Sequence, residues 1–428
     1  MQKKVIVIGG GIAGLTAAAY LAKNKFKVTL LEASPKLGGR LYSFIDKETN
    51  SIIDNGQHIL MGCYYYTLHF LAMIGATENF YFQKRLEVNF VKEGFQLSSL
   101  KSARLIYPFN LIFGLMKFEA IKLSERLDLV KVLIKLPFNP SDKYSNMNVK
   151  QWLEYENQSQ TIQDAFWKIL VVGALNTSIE KASAKIFIDI LKQMFLKGNK
   201  SAAIVLPKYG LSESYCKTAE KFILDNGGAI FLSEAVEKIN ISNDLVTELQ
   251  SSRKVISDFD YVVSAIPAYA LSRIIETNSK INIPDLNYSS ILNIHIWLKE
   301  NSIPPGFFGL INSKLHWVFN KGTHLNIVIS DANELVNISD EELIGIVKDE
   351  LKKFFFLDPE LISNYKIIKE KRATFIPSKD TLDNRPVQKT YLKNFILVGD
   401  WVDTGLPSTI ESAVKSGKVA ADIIMQQI

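Results

Sequence analysis

Residues 3–40 read KKVIVIGGGIAGLTAAAYLAKNKFKVTLLEASPKLGGR, and this stretch decides the fold. Val5 to Ile8 is a short run of apolar β-branched residues, the pattern of a strand buried on both faces, and it stops at Gly9, Gly10 and Gly11. Ile12 to Lys23 is rich in Ala and Leu and predicts a helix with small residues toward the sheet. Lys27 to Leu31 predicts a second strand with Glu32 at its end. Gly9, Gly11 and Gly14 form the G-x-G-x-x-G pattern, in which the glycines allow a tight turn, close approach of a pyrophosphate and close helix–strand packing. The phosphates then sit on the helix N-terminus, beside Ile12 and Ala13. Glu32, followed by Ala33, is placed to accept hydrogen bonds from a ribose diol, and its charge disfavours a 2′-phosphate. NAD and FAD both satisfy this unit.

Gly38, Gly39 and Arg40 follow at once. They resemble the GG-R/S signature of the monoamine oxidase and phytoene desaturase superfamily, where a second glycine turn and an Arg lie along the pyrophosphate and flavin. That resemblance implies FAD.

The chain has 428 residues, 47% of them hydrophobic and 22% charged, enough for a substantial core spread over more than one domain. Its net charge of +6 comes from scattered Lys and Arg, which does not indicate nucleic-acid binding. Cys63 and Cys216 are too few for a four-thiolate metal site and are expected to be reduced core thiols. With Val5 already in a strand, no signal peptide is expected, and the protein is expected in the cytoplasm. No stretch reaches the roughly 18 apolar residues of a spanning helix.

Ile52-Ile53 predicts a short strand ending in the turn Asp54-Asn55-Gly56, with Gln57 and His58 beyond it. A polar glycine turn so close to the dinucleotide unit is expected beside the cofactor, because ligands occupy the crevice at strand ends. His58 equally suits a histidine that only satisfies local hydrogen bonds. The run Asp54 to Tyr64, DNGQHILMGCY, resembles the signature of the squalene-associated FAD-dependent desaturases, the hydroxysqualene dehydroxylases.

Leu105 to Phe138 is the most apolar and aromatic region, and two readings stand: a buried helical layer, or an amphipathic element that dips into a bilayer to admit a water-insoluble substrate. Gln151 to Lys197 reads as helical, and Pro207 to Leu211 breaks the pattern before a helix from Ser212 to Asn226. Ala229 to Ile241 reads as a strand pair and Tyr261 to Pro267 as a buried strand. By resemblance, Val236 meets adenine and Ala265 lies beside the cofactor. Leu292, Ile294, Ile296 and Leu298 alternate with Asn293, His295, Trp297 and Lys299 as in a half-buried antiparallel strand. Ile303 to Leu310 reads as a loop, and Asp340 to Phe355 as a helix with acids first and Lys last.

Phe395 to Val398 predicts a last buried strand, followed by Gly399 and Asp400. Asp400 resembles the family acid on the ribityl or pyrophosphate part of FAD. Pro407, Ser408, Thr409 and Ile410 open a closing helix whose N-terminal amides are suited to the flavin N1–C2=O edge, where negative charge gathers on reduction.

The expected fold class is α/β: a Rossmann-like FAD-binding domain (1–65, 205–285 and 391–428) interleaved with an amine oxidase-like substrate domain of mainly antiparallel sheet plus helices (66–204 and 286–390). The resemblance implies reductive removal of the hydroxyl of hydroxysqualene to give squalene, with hydride passing from flavin N5 to an allylic cation and an unidentified donor reducing the FAD. Expected cofactor contacts are Gly9, Gly11, Ile12, Ala13, Gly14, Glu32, Ala33, Gly38, Gly39, Arg40, Asn55, Gly56, Gln57, His58, Val236, Ala265, Gly399, Asp400, Pro407, Ser408, Thr409 and Ile410; His58 and Asp403 are the candidate acids. The partners implied are a long-chain isoprenoid, that electron donor and a peripheral contact with a membrane. Carotenoid desaturation is the competing enzyme reading. A non-redox lipid carrier of the same fold, like the Rab GDP-dissociation inhibitors, is the reading from another class.

Overall fold

A computed structural model describes residues 2–276 and 280–427. Residues 277–279, within the segment 205–285 expected to belong to the FAD-binding domain, lie outside the described residues.

A five-stranded parallel sheet lies at the base of the molecule, in the order Ala229–Leu232, Lys27–Glu32, Lys4–Ile8, Tyr261–Ser264 and Phe395–Leu397. Lys4–Ile8 is its centre, which is why Val5 and Val7 are fully buried. The opening helix Ile12–Lys23 and the closing helix Ile410–Met425 pack against each other on this sheet. Their contact depends on small residues: a Cβ on Gly417 would stand 2.4 Å from the carbonyl oxygen of Ala13.

A seven-stranded sheet forms the second half, in the order Ile362–Phe375, Tyr288–Leu298, Leu325–Ile329, Trp317–Asn320, Gly306–Leu310, Glu87–Lys92 and Gln96–Lys101. Every neighbouring pair is antiparallel except Gly306–Leu310 with Glu87–Lys92. One face, with Leu292, Ile294, Ile296 and Ile327, packs on the helix Asp340–Phe355. That helix begins as its sequence predicts, with Ser339 accepting from the Glu342 amide in a capping box. The other face joins Phe90, Phe307, Phe319 and Val328 to the helical layer that runs from Phe109 to Leu196.

Four local expectations change. Ile303 to Leu310 is not all loop: Gly306–Leu310 is a strand, since Phe307 and Phe308 bury on opposite faces and Gly309 leaves room for Phe90 and Trp317. Ala229 to Ile241 does not pair with itself. Its first half joins the parallel sheet, and Val236–Ser242 starts a separate antiparallel meander with Leu245–Ser251 and Val255–Ile256. Asn293, His295 and Trp297 do not face water; the turn at 54–57 bonds to Asn293 and His295, and Ser51 accepts from Trp297 Nε1. The region 105–138 divides: Leu111, Leu115, Leu129 and Leu133 are core, whereas Ile106, Phe109, Phe113, Leu127, Ile134 and Phe138 are exposed.

Candidate active site

The strand-to-helix turn at Gly9 carries φ of +105°, a conformation that glycine adopts without strain. Gly14 tolerates no side chain, because a Cβ would lie 2.0 Å from Gly9 O, whereas a Cβ on Gly11 would meet nothing within 4 Å. Gly11 is the N-cap and offers no capping side chain, and the first turn contains no acid. The amides of Ile12, Ala13 and Gly14 therefore open the helix with no side-chain acceptor, beside an open space that could hold an anionic pyrophosphate.

Neighbouring segments are fastened to that turn. Gly38 N–H donates to Gly10 O at 2.9 Å, and Gly38 and Gly39 both have positive φ. The Glu32 carboxylate accepts from the Gly10 and Ser34 amides, which fixes it at the end of its strand. Ala33, beside it, is exposed. Glu234 N–H donates to Glu32 O at 2.9 Å, which brings the segment leading to Val236 alongside. Ala265 N–H donates to Ile8 O at 2.8 Å, and Ala265 lies against Gly9 and Gly14.

The two ends of the chain meet at Arg40. Its Nη2 donates to Asp400 Oδ1 at 2.7 Å and its Nη1 to Ala373 O at 2.6 Å. Ser408 Oγ donates to the other oxygen of Asp400. Burial alone would raise the Asp400 carboxyl, but the Arg40 charge and the hydrogen bonds from Arg40 and Ser408 outweigh it and hold the group below its ordinary range. Gly399 takes φ of +138° and its N–H donates to Ser416 Oγ, while Thr409 caps the closing helix by accepting from Ser412 N–H at 3.2 Å. Pro407 and Ile410 flank these caps.

Asn55 supports the Arg40 turn: its Nδ2 donates to Arg40 O at 2.9 Å and its Oδ1 accepts from Tyr42 N–H. Asp54 accepts from Leu211 N–H at 2.9 Å and from Ser43 Oγ, tying this turn to the Pro207–Leu211 break. Gln57 N–H donates to Asn293 Oδ1 at 3.2 Å, and Gly56 lies against the same amide.

His58 is half-buried, and burial pushes its pKa down to about 4, so it is neutral near pH 7. Its Nε2 sits 3.2 Å from Arg40 O, an acceptor only, which places the proton on Nε2 and engages it there. Asp403 accepts from Arg385 Nη2 at 3.2 Å and from Gly405 N–H at 3.0 Å. No hydrogen bond joins His58 to Asp403 among the described residues.

Asn293, His295, His324, Asn326 and Arg385 were not singled out as site residues by sequence. The first four lie on the sheet face next to the 54–57 turn, where burial pushes His295 to about 3 and His324 to about 4. The alternating pattern of 292–299 was the only signal for Asn293 and His295, and it does not say which face is covered; His324 and Asn326 reach this face only through pairing of Leu325–Ile329 with that strand. Arg385 had a signal, its place in Asn384-Arg385-Pro386 just before the last strand.

The family model for flavin containing amine oxidoreductases matches residues 12–425. The chain belongs to that family. It is an FAD-dependent oxidoreductase, and the glycine cradle, the Glu32 carboxylate and the Arg40–Asp400 pair fit the cofactor. Hydroxysqualene dehydroxylases from Zymomonas mobilis and Rhodopseudomonas palustris are 27% and 28% identical to it, over 98% and 99% of both chains respectively. A 15-cis-phytoene desaturase from Glycine max is 23% identical over 99% of this chain and 79% of its own. In fold, the oxidoreductase is similar to the crystal structure of an oxidoreductase from Methanosarcina mazei, with a TM-score of 0.74 and 16% identity, covering 98% of this chain and 100% of that one.

Proposed function

We propose that this oxidoreductase reductively removes the hydroxyl group of hydroxysqualene to give squalene. Likeness to hydroxysqualene dehydroxylases across nearly the whole of both chains is the observation that carries the reading. The Asp54–Tyr64 run adds to it, because its turn is bonded to Asn293 and His295, on the sheet face away from the Asp340–Phe355 helix, which we take as the face that meets the substrate.

In the proposed arrangement, 1–65, 205–285 and 391–428 form the FAD-binding half, and 66–204 with 286–390 form the substrate half. The amides of Ile12, Ala13 and Gly14 would hold the pyrophosphate, Glu32 the adenosine ribose, and Asp400 with Arg40 the ribityl–pyrophosphate region. Val236 and Ala265 would add main-chain contacts. Reduced FAD, when bound, supplies the hydride; its electrons come from a donor outside this chain. The alcohol loses its C–O bond, the departing oxygen takes up a proton and leaves as water, and the adjacent double bond spreads the developing positive charge. Aromatic residues of the covered sheet face, Phe307, Trp317 and Phe319, exclude water from the hydrocarbon chain. We also propose that the substrate is drawn from a membrane on which the exposed face of 105–138 rests.

Lipids extracted from cells fed a hydroxysqualene source, with and without this chain, test the reading. Squalene accumulation dependent on the chain is expected; unchanged hydroxysqualene would refute it. The phytoene desaturase relatives favour a second reading, removal of hydrogen from an isoprenoid by oxidised FAD, and a newly desaturated polyene in the same extracts would select it. Single-turnover assays of prereduced His58→Gln and Asp403→Asn enzymes decide the acid: an unchanged rate clears the replaced residue.

A further inference from the structure

One end of the covered sheet face is polar, and its hydrogen-bonding groups are only partly used. Asn293, His295 and Trp297 alternate along Tyr288–Leu298, and Asn326 stands directly opposite His295 on Leu325–Ile329. Directly opposed residues of antiparallel strands project from the same face, with Cβ atoms about 4.5–5.5 Å apart. His295 is 1% exposed and Asn326 is fully buried. Phe319 stands opposite Asn326 on the next strand, so this polar pair terminates an aromatic surface.

The proton on His295 is fixed by its neighbour. Its Nε2 lies 3.0 Å from the carbonyl oxygen of Asp54, which can only accept, so Nε2 carries the hydrogen and Nδ1 presents a lone pair. Burial keeps the ring neutral, with a pKa of about 3. Its other charged or titratable neighbours, His324, Lys321 and Asp46, do not engage Nδ1, which has no hydrogen-bond partner among the described residues. Neither atom of the Asn326 carboxamide has one, nor has Gln57 Oε1, which belongs to the residue bonded through its N–H to Asn293. Buried polar groups are ordinarily paired, and three of these four atoms belong to the directly opposed residues His295 and Asn326.

We propose that His295 and Asn326 form the recognition site for a neutral hydroxyl group: the ligand O–H donates to His295 Nδ1, and Asn326 Nδ2 donates to the ligand oxygen. The inference rests on the reading above, that the substrate is an isoprenoid alcohol and the product its hydrocarbon. It assigns these two residues the task of preferring substrate to product. The hydrocarbon offers nothing to either group and leaves both unpaired, whereas the alcohol satisfies both. A single ordered water carries the same chemistry, and the experiment separates the two sources.

The test uses the full chain loaded with FAD and reads ligand binding from the perturbed flavin spectrum. The probes are a C30 allylic alcohol and the corresponding C30 hydrocarbon. Wild-type enzyme is expected to prefer the alcohol by about tenfold to a hundredfold. Asn326→Leu, close in volume, and His295→Phe are each expected to lose most of that preference while keeping hydrocarbon affinity and the flavin spectrum. His295→Gln, which restores an acceptor, should recover part of it. If Asn326→Leu, and Asn326→Leu combined with His295→Phe, retain the full preference, the proposal is overturned and the atoms hold water only. Equal wild-type affinity for the two ligands overturns it while leaving the isoprenoid reading intact. Failure of wild type to bind either overturns that reading and this inference together. Should His295→Phe not fold, Asn326→Leu and His295→Gln carry the same comparison.

Discussion

Arg40 Nη2 and Asp400 Oδ1 are 2.7 Å apart although 360 positions separate them in the chain. The guanidinium comes from the turn after the second strand and the carboxylate from the turn after the last, so one ion pair closes the parallel sheet around the groove proposed for FAD. Asp400→Asn should lower the flavin content of the purified protein and its stability at pH 7, by about 1–3 kcal/mol given the half-exposed Arg40 partner. Because the folded carboxyl titrates below its unfolded value, its contribution is present above about pH 4 and is lost as the pH falls through the folded pKa. The gap between wild type and variant in denaturant titrations should therefore narrow below about pH 4. A gap that widens there would contradict the assignment.

Four histidines resist protonation in the folded chain. Burial pushes His58, His316 and His324 to about 4 and His295 to about 3. Unfolding frees them to titrate near 6.5, so between about pH 6.5 and 4 the unfolded chain binds more protons and stability falls with falling pH. Calorimetric unfolding in buffers of differing ionisation enthalpy should report uptake of about four protons from these residues near pH 5, in addition to any from carboxylates. His324→Gln should remove about one. For the same reason, a pH–rate profile should show no inflection near 6.5 from His58.

Arg385 organises the segment just after Asp400. Only 2% of its side chain is exposed; Nη1 donates to Val402 O and Leu406 O, Nη2 to Asp403, and the guanidinium lies over the Phe375 ring. Arg385→Met should destabilise the protein by about 3 kcal/mol and weaken FAD retention, because it leaves two carbonyls without their donor and removes the cation paired with Asp403. Arg385→Lys should recover only part, since an ammonium cannot reproduce the planar fork. Thermal melts and flavin-to-protein absorbance ratios check both.

These residues differ in how far the sequence announces them. Gly9, Gly14, Arg40 and Asp400 belong to turns whose backbone conformation demands particular residues, so local spacing is enough to find them. His295 and Asn326 meet only through strand pairing between distant segments. The alternation around them reveals two faces but not that a helix covers one and the 54–57 turn the other. The strand Gly306–Leu310 was hidden for a related reason: Pro and Gly mark its start as a turn, and its Phe residues find their places only through neighbours such as Phe90. Exposed apolar residues at 105–138 were visible as composition, but separating Phe109 and Phe113 from Leu111 and Leu115 required the packed structure.

Ile106 is 76% and Phe138 81% exposed, Phe109 and Phe113 lie one turn apart on the helix Phe109–Met116 and are both exposed, and Arg104, Lys117, Glu119 and Lys122, close to them in sequence, are exposed as well. No helix among the described residues is long and apolar enough to cross a membrane, so the contact argued for is interfacial. Replacing Ile106, Phe109 and Phe113 together by Ser should weaken flotation with anionic phospholipid vesicles by at least about tenfold, on the basis of the apolar area withdrawn. Flavin content should not change. Undiminished flotation would remove this face from the account of substrate entry.

Gly417 packs behind the groove proposed for FAD, against the first turn of the opening helix. A methyl group at that position would stand 2.4 Å from Ala13 O and 2.9 Å from Thr16 Cβ. The obstacle at Ala13 is backbone in the first turn of the opening helix, so it cannot rotate away as a flexible side chain would. Gly417→Ala gains helix propensity of about 1 kcal/mol, yet the clash must push the two helices apart. We expect a net loss of about 1–3 kcal/mol and weaker FAD binding, since Ile12, Ala13 and Gly14 move with the displaced helix. A stabilised protein with unchanged flavin affinity would show that the helices have slack there. In that case Gly417 would not set the spacing on which the proposed pyrophosphate site depends.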